Sequence, residues 1–161
     1  MDASDPPLPE LRTGCLFCRI VAGEEPAFVV LDEPVVLGFL DVRPVFKGHV
    51  LLVPRGHVDT LTDLPAELAA PLVLSAQRVA AAVREGLGAQ GSFVAINNTV
   101  SQSVPHLHVH VVPRTKGDGL RGFFWPRVKY AEGEAEEWAA RLRASLDAQA
   151  PDPPTFPNSP G

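Results

Sequence analysis

Three of the chain's five histidines stand on alternate positions of one short run, His106-Leu107-His108-Val109-His110. A β-strand turns successive side chains to opposite faces. The spacing therefore predicts His106, His108 and His110 on one face and Leu107, Val109 and Val111 on the other, with the apolar side towards the core. Neighbouring imidazoles would then stand about 6–7 Å apart at the usual strand rise. Imidazole binds metals and acts as acid, base or nucleophile near neutral pH, so three on one face point to one of these chemistries. Polar Ser101-Gln102-Ser103 precedes the run and Pro113 closes it. Cys15 and Cys18, the only cysteines, are separated by two residues. Thiols at this spacing can share a tetrahedral zinc, form a redox pair, or be two plain small residues. No βαβ pattern follows them, which argues against a thioredoxin-like role. Asp41 lies between Leu40 and Val42, and a carboxylate in an apolar stretch needs partners.

The elements that must hold these residues read as mixed. Strands are expected at 28–31 and 35–40, around the turn signal Asp32-Glu33-Pro34. Others are expected at 49–53, entered through Lys47-Gly48, at 92–96 and at 106–112. Pro65 opens a helix whose apolar stripe is Leu68, Leu72, Ala76, Val79, Val83 and Leu87. Pro71 predicts a late start or a bend there, and Gly86 and Gly88 stop it. A second helix around 134–146 is expected to pack through Trp138, Leu142 and Leu146. Strands that come in consecutive pairs before and after one helix suit an α+β fold: an antiparallel sheet with one long helix and a C-terminal helix. Residues 14–149 form the expected domain. The proline-rich ends, 1–13 and 150–161, are expected to be unstructured.

With 161 residues and 45 % hydrophobic side chains the chain suffices for one core. Its net charge of −5 argues against a general nucleic-acid binder, which shows a basic face. No apolar run approaches a membrane span, and the acidic, proline-rich N-terminus does not read as a signal peptide. The expectation is a soluble, cytoplasmic protein.

The run His106-Leu107-His108-Val109-His110-Val111-Val112 resembles the signature of the histidine-triad (HIT) nucleotide-binding family, His-φ-His-φ-His-φ-φ with φ apolar. The resemblance extends over residues 14–130. It takes in Cys15-Leu16-Phe17-Cys18-Arg19-Ile20, Phe39-Leu40-Asp41 with Gly48-His49, Pro54-Arg55-Gly56-His57, and Gln102-Ser103-Val104. Ser101 departs from it, standing where the family carries a glycine whose amide approaches phosphate with no Cβ in the way.

The resemblance implies that His108 attacks the α-phosphorus of a purine nucleotide to give a nucleotidyl-histidine, and that water then releases the nucleoside monophosphate. His110 would contact the phosphate and leaving group. Gln102, Ser103 and Asn98 would donate to phosphate oxygens, with Asn97 competing with Asn98 for that role. Asp41 would bind the ribose hydroxyls, and Leu16, Phe17, Ile20, Phe39 and Val42 would form the slot for the base. Bacterial members similar to this chain hold a structural zinc through positions matching Cys15, Cys18, His57 and His106. His49 would then orient the triad from behind. The resemblance also implies a homodimer, with the 65–87 helix as an interface element, and no membrane or nucleic-acid partner. The long loop at 114–127, with four cations and three aromatics, resembles the extension of the bacterial branch and points towards dinucleoside polyphosphates, with phosphoramidates also open. Three other roles are weighed against hydrolysis. A binding or scaffold module with little turnover needs no nucleophile. A zinc-dependent nucleic-acid binder needs a basic recognition helix. Members that transfer uridylyl groups to galactose 1-phosphate are much longer and carry Gln where His110 stands.

Overall fold

In the computed structural model residues 5–120 and 128–148 are described. The chain divides into two compact units, residues 1–118 and 119–161. The first unit contains α1 (Leu16–Val21), β1 (Val29–Asp32), β2 (Val36–Leu40), β3 (Val50–Pro54), a 3-10 turn (Leu61–Asp63), α2 (Ala66–Leu87), β4 (Gly91–Ala95) and β5 (Val109–Arg114). The second contains α3 (Glu134–Ala148). This is the α+β architecture expected from the element order.

The five strands form one antiparallel sheet in the order β1-β2-β3-β5-β4. The last strand is thus inserted between β3 and β4. His110 pairs with Leu51 on one side and Ala95 on the other, which puts it in the sheet's interior. α2 covers one face through Leu68, Leu72, Ala76, Val79 and Val83, against Val36, Val50, Leu52, Leu107, Val109 and Val111. The opposite face carries Leu37, Phe39, Leu51 and Val53 and packs with Cys15, Phe17 and Cys18. Both faces of β2 and β3 are therefore buried, which explains why those strands are continuously apolar and do not alternate. Leu107, Val109 and Val111 face α2, as their spacing predicts.

Several expectations need correction. The histidine strand begins at Val109 and not at 106. The amide of His106 donates to Val104 O and that of Leu107 to Val58 O, so the segment before Val109 is bonded to loops and lies outside the ladder. Pro113 does not end the strand; it pairs with Ser92, and β5 runs on to Arg114. Pro71 lies inside α2, which nonetheless starts at Ala66. Gly86 is helical, and Gly88 alone caps the helix, with φ 69°, the left-handed conformation that glycine adopts without penalty. α2 reaches 22 residues and is long and apolar enough by composition for a membrane span. Its buried stripe on the sheet is the arrangement of a core helix.

Residues 5–13, expected to be an unstructured tail, instead lie against the body. Leu8 packs on the α2-side core, and the His57 amide donates to Glu10 O. A Cβ on Gly56 would come within 2.6 Å of the Pro9 backbone, so the close approach requires glycine. Prolines exclude a helix or ladder here, but the arm's free carbonyls and Leu8 still find partners. Trp138, Leu142 and Leu146 are exposed on α3. The Arg141 guanidinium lies 5.0 Å from the centroid of the Trp138 ring. Of the 114–127 loop, residues 121–127 lie outside the described residues, as does the tail from 149 onward.

Candidate active site

His108 is almost fully buried. Its Nδ1 lies 2.7 Å from the His106 carbonyl oxygen. A carbonyl can only accept, so Nδ1 carries a proton, and in the neutral ring Nε2 keeps its lone pair. Phe17 packs edge-on against the ring, at 5.2 Å between centroids and 87° between planes. The two contacts hold one tautomer and one ring orientation.

The proton on His110 is assigned by a chain of bonds that starts at a backbone amide. Val45 N–H donates to His49 Nδ1 at 3.2 Å, so in the neutral His49 ring the proton sits on Nε2. That nitrogen is 2.9 Å from His110 Nδ1, to which it donates. His110 therefore carries its proton on Nε2. That atom is buried and has no partner among the described residues. Burial, reinforced by His108 and His49, pulls the His110 pKa down to about 4, and burial also lowers that of His49. His110 is thus a neutral N–H donor throughout the neutral range. Asp41 Oδ2 lies 3.5 Å from His49 Nδ1, and its Oδ1 accepts from Arg43 N. Asp41, His49 and His110 lie close enough to suggest a metal group. Both His49 nitrogens already face other atoms, Val45 N–H on one side and His110 Nδ1 on the other, which makes His49 a support for the triad, with Asp41 beside it.

His108 and His110 line a pocket with Leu16, Phe17, Ile20, Phe39, Asp41, Val42 and Ser103. Nine of the residues expected at the nucleotide site are therefore brought together. Phe17 and Phe39 are buried and form its floor, whereas Leu16 and Val42 are exposed at its rim. Arg43, which sequence reasoning did not single out, lines the same pocket and adds a cation. His49 stands one bond behind it.

Asn98 and Gln102 do not line this pocket and carry bonds within their own loop and its neighbours. Asn98 Oδ1 accepts from Leu61 N at 2.8 Å. Gln102 accepts from Thr99 N at 2.8 Å and donates to Asp59 O at 2.7 Å. These bonds shape the loop that ends at Ser103. Thr99 and Ser101 both have positive φ, 65° and 61°. Ser101 thus adopts the left-handed conformation natural to glycine, at a cost of about 1–2 kcal/mol.

A second cluster adjoins the first. One ligand atom from each of Cys15, Cys18, His57 and His106 lies within 4.8 Å of the others, and all four residues are buried. The Sγ–Nδ1 separations are 3.5 Å for Cys15–His106, 3.2 Å for Cys18–His57 and 3.5 Å for Cys18–His106. Ligands at Zn–S and Zn–N bond lengths around a tetrahedral ion stand about 3.5 Å apart. Each histidine's far nitrogen is anchored: His106 Nε2–H donates to Pro54 O at 2.9 Å, and His57 Nε2 to Asp59 Oδ1 at 3.1 Å. In its neutral form each ring therefore turns an unprotonated Nδ1 to the thiols, the form a metal requires. Burial lowers the His106 pKa to about 4 and raises that of the Cys18 thiol. The donor set and its anchoring fit a closed Cys₂His₂ zinc site. Asp59, Val45 and the Pro54 carbonyl were not foreseen from sequence.

Residues 22–117 match the HIT domain family, and the chain belongs to that family. It is 32 % identical over 134 residues to an adenosine 5′-monophosphoramidase of Schizosaccharomyces pombe, covering 82 % of this chain and 98 % of the relative. A solved HIT-family structure from Bacillus subtilis superposes with TM-score 0.75 at 31 % identity, over 87 % of this chain and 99 % of that one. A zinc-bound histidine triad family protein from Mycobacterium smegmatis gives TM-score 0.64 at 41 % identity, over 85 % and 98 % of the two chains.

Proposed function

We propose that this protein hydrolyses nucleotides at the α-phosphorus by way of a nucleotidyl-His108 intermediate, with adenosine phosphoramidates or dinucleoside polyphosphates as substrates. The observation that carries the reading is the pair of nitrogens in one pocket: an unprotonated His108 Nε2 beside the buried, unpartnered His110 Nε2–H. An unsatisfied buried donor is costly, and a phosphate oxygen supplies the missing acceptor.

In this scheme His108 Nε2 attacks phosphorus and the leaving group departs on the opposite side. His110 Nε2–H donates to the oxygen on which charge grows. The His108 ring becomes cationic as the N–P bond forms, and the His106 carbonyl, already accepting from Nδ1, stabilises that charge. Water then displaces the imidazole and releases the monophosphate. Asp41 accepts from the ribose hydroxyls, while Leu16, Ile20 and Val42 close on the base over Phe17 and Phe39. Cys15, Cys18, His57 and His106 hold a zinc ion, whose closed coordination serves stability and not bond cleavage. The similarity to a monophosphoramidase supports the substrate class, and the zinc-bound relative supports the metal.

We also propose a cytoplasmic homodimer. Among the described residues β4 is the last strand of the sheet, and Val94 on it and Val73 and Leu74 on α2 are exposed. An end strand beside exposed apolar side chains suits association with a second copy.

The substrate class is tested by incubating purified protein with adenosine 5′-phosphoramidate and with diadenosine tri- and tetraphosphate. Release of AMP from at least one, with saturation kinetics, is expected. No release from any would contradict the reading.

A further inference from the structure

Asp59 stands where three parts of the chain meet. Its Oδ1 faces His57 Nε2 at 3.1 Å. Arg12 grips both carboxylate oxygens, at 2.7 and 2.9 Å, and its backbone N–H donates to Cys18 Sγ at 3.3 Å. The backbone carbonyl of Asp59 accepts from Gln102 Nε2 at 2.7 Å. Gln102 in turn holds the Thr99 amide, and Asn98 is tied to Leu61. The stretch 57–61 is therefore bonded to the sulfur–imidazole cluster on one side and to the loop ending at Ser103 on the other.

We propose that Asp59 is a positioning residue that couples the Cys15–Cys18–His57–His106 cluster to the loop 98–103, so that metal and nucleotide each strengthen the other's binding. The inference rests on the nucleotide and metal readings above. An ion at the cluster draws electron density from His57 Nδ1 and makes Nε2–H a stronger donor to Asp59. A better-held Asp59 presents its carbonyl to Gln102 in one position, and the loop then meets a phosphate already shaped. In the other direction, a phosphate that orders the loop fixes Gln102, Asp59 and the His57 ring. Asp59 touches neither reacting atom nor ligand; it acts through its neighbours. Thermodynamic linkage requires the two effects to be equal in size.

The test uses the full chain stripped of metal, Zn²⁺ with a competing chelator, and AMP as an unreactive ligand. Zinc affinity is measured with and without saturating AMP, and AMP affinity with and without zinc. In the wild type each ligand should tighten the other by one common factor, on the order of 5- to 100-fold. Asp59→Asn should lower zinc affinity by roughly 10- to 100-fold and bring the coupling factor to about one. Gln102→Met, which removes the bonds to Asp59 O and Thr99 N and leaves every residue of the sulfur–imidazole cluster in place, should keep wild-type zinc affinity without AMP and still abolish the coupling, and so separates coupling from folding. A wild type that binds both ligands independently, or an Asp59→Asn protein that keeps the full factor, overturns the role of Asp59 while leaving the site reading intact. A wild type that fails to bind AMP or zinc overturns both.

Discussion

His106 and His108 are joined by one bond, from His108 Nδ1–H to the His106 carbonyl at 2.7 Å. The ring of His106 points away from this bond, to Cys15 and Cys18. One residue therefore serves the metal cluster with its side chain and the nucleophile with its backbone. His106→Ala removes the ring and keeps the carbonyl. Zinc content should fall, with a melting temperature lower by several degrees, while His108 keeps its acceptor. Metal analysis and thermal unfolding should thus show a larger defect than turnover at saturating substrate. A His106→Ala protein as inactive as His108→Ala, yet fully zinc-loaded, would reverse this division of labour.

Zinc should be present at about one ion per chain in untagged protein prepared without chelator. The double change Cys15→Ser with Cys18→Ser should lose it and lower the melting temperature. Atomic emission on both proteins is the check, and a metal-free wild type counts against the cluster as a zinc site.

His110 should matter less than the nucleophile. His110→Ala removes one hydrogen-bond donor and leaves His108 Nε2 free to attack, so kcat should fall on the order of 10²-fold. His110→Asn, which can still offer an N–H, should recover part of the loss. Equal losses in both variants would show that His110 contributes more than an N–H donor.

Stability should depend on pH through His110. Its folded pKa is about 4 against about 6.5 in the unfolded chain. Between those values the unfolded state binds more protons. The contribution is therefore complete above pH 6.5 and is lost as pH falls towards 4. Urea midpoints of metal-free protein should decline across that window, and His110→Gln should flatten the decline. An unchanged slope in the variant would contradict the burial of a neutral His110.

β4 and the outer face of α2, through Val94, Val73 and Leu74, should associate with a second copy. Light scattering at micromolar concentration should return twice the chain mass, and Val94→Lys on β4 should shift it towards one. A monomeric wild type contradicts the dimer.

Much of this arrangement was legible in the sequence wherever a short period sufficed. The alternation from His106 to Val111 separates two faces without any knowledge of the rest of the chain. The stripe from Leu68 to Val83 does the same for α2. The strand's true start was hidden because the Leu107 amide goes to Val58 O, a bond between loops that no local pattern encodes. The grouping of Cys15 and Cys18 with His57 and His106 came from resemblance, and the fold brings the four together. Asp59 was missed because an Asp in a polar turn looks like surface. The available signal was a candidate metal-binding histidine two residues before a carboxylate, since such histidines commonly anchor their far nitrogen on an acid. The period of Trp138, Leu142 and Leu146 was legible, but a period does not name what covers it. The proline-rich arm looked free because composition excludes regular structure and says nothing about docking.

The central claim is the covalent role of His108. Rapid-quench mass spectrometry during turnover of adenosine 5′-phosphoramidate should find one added AMP on the peptide that contains His108. His108→Ala should form no adduct and lose several orders of magnitude in kcat. Nucleotide affinity should stay near wild type, since Asp41 and the base slot remain. A wild type that turns over with no adduct, together with a His108→Ala protein of near-full activity, would contradict the account.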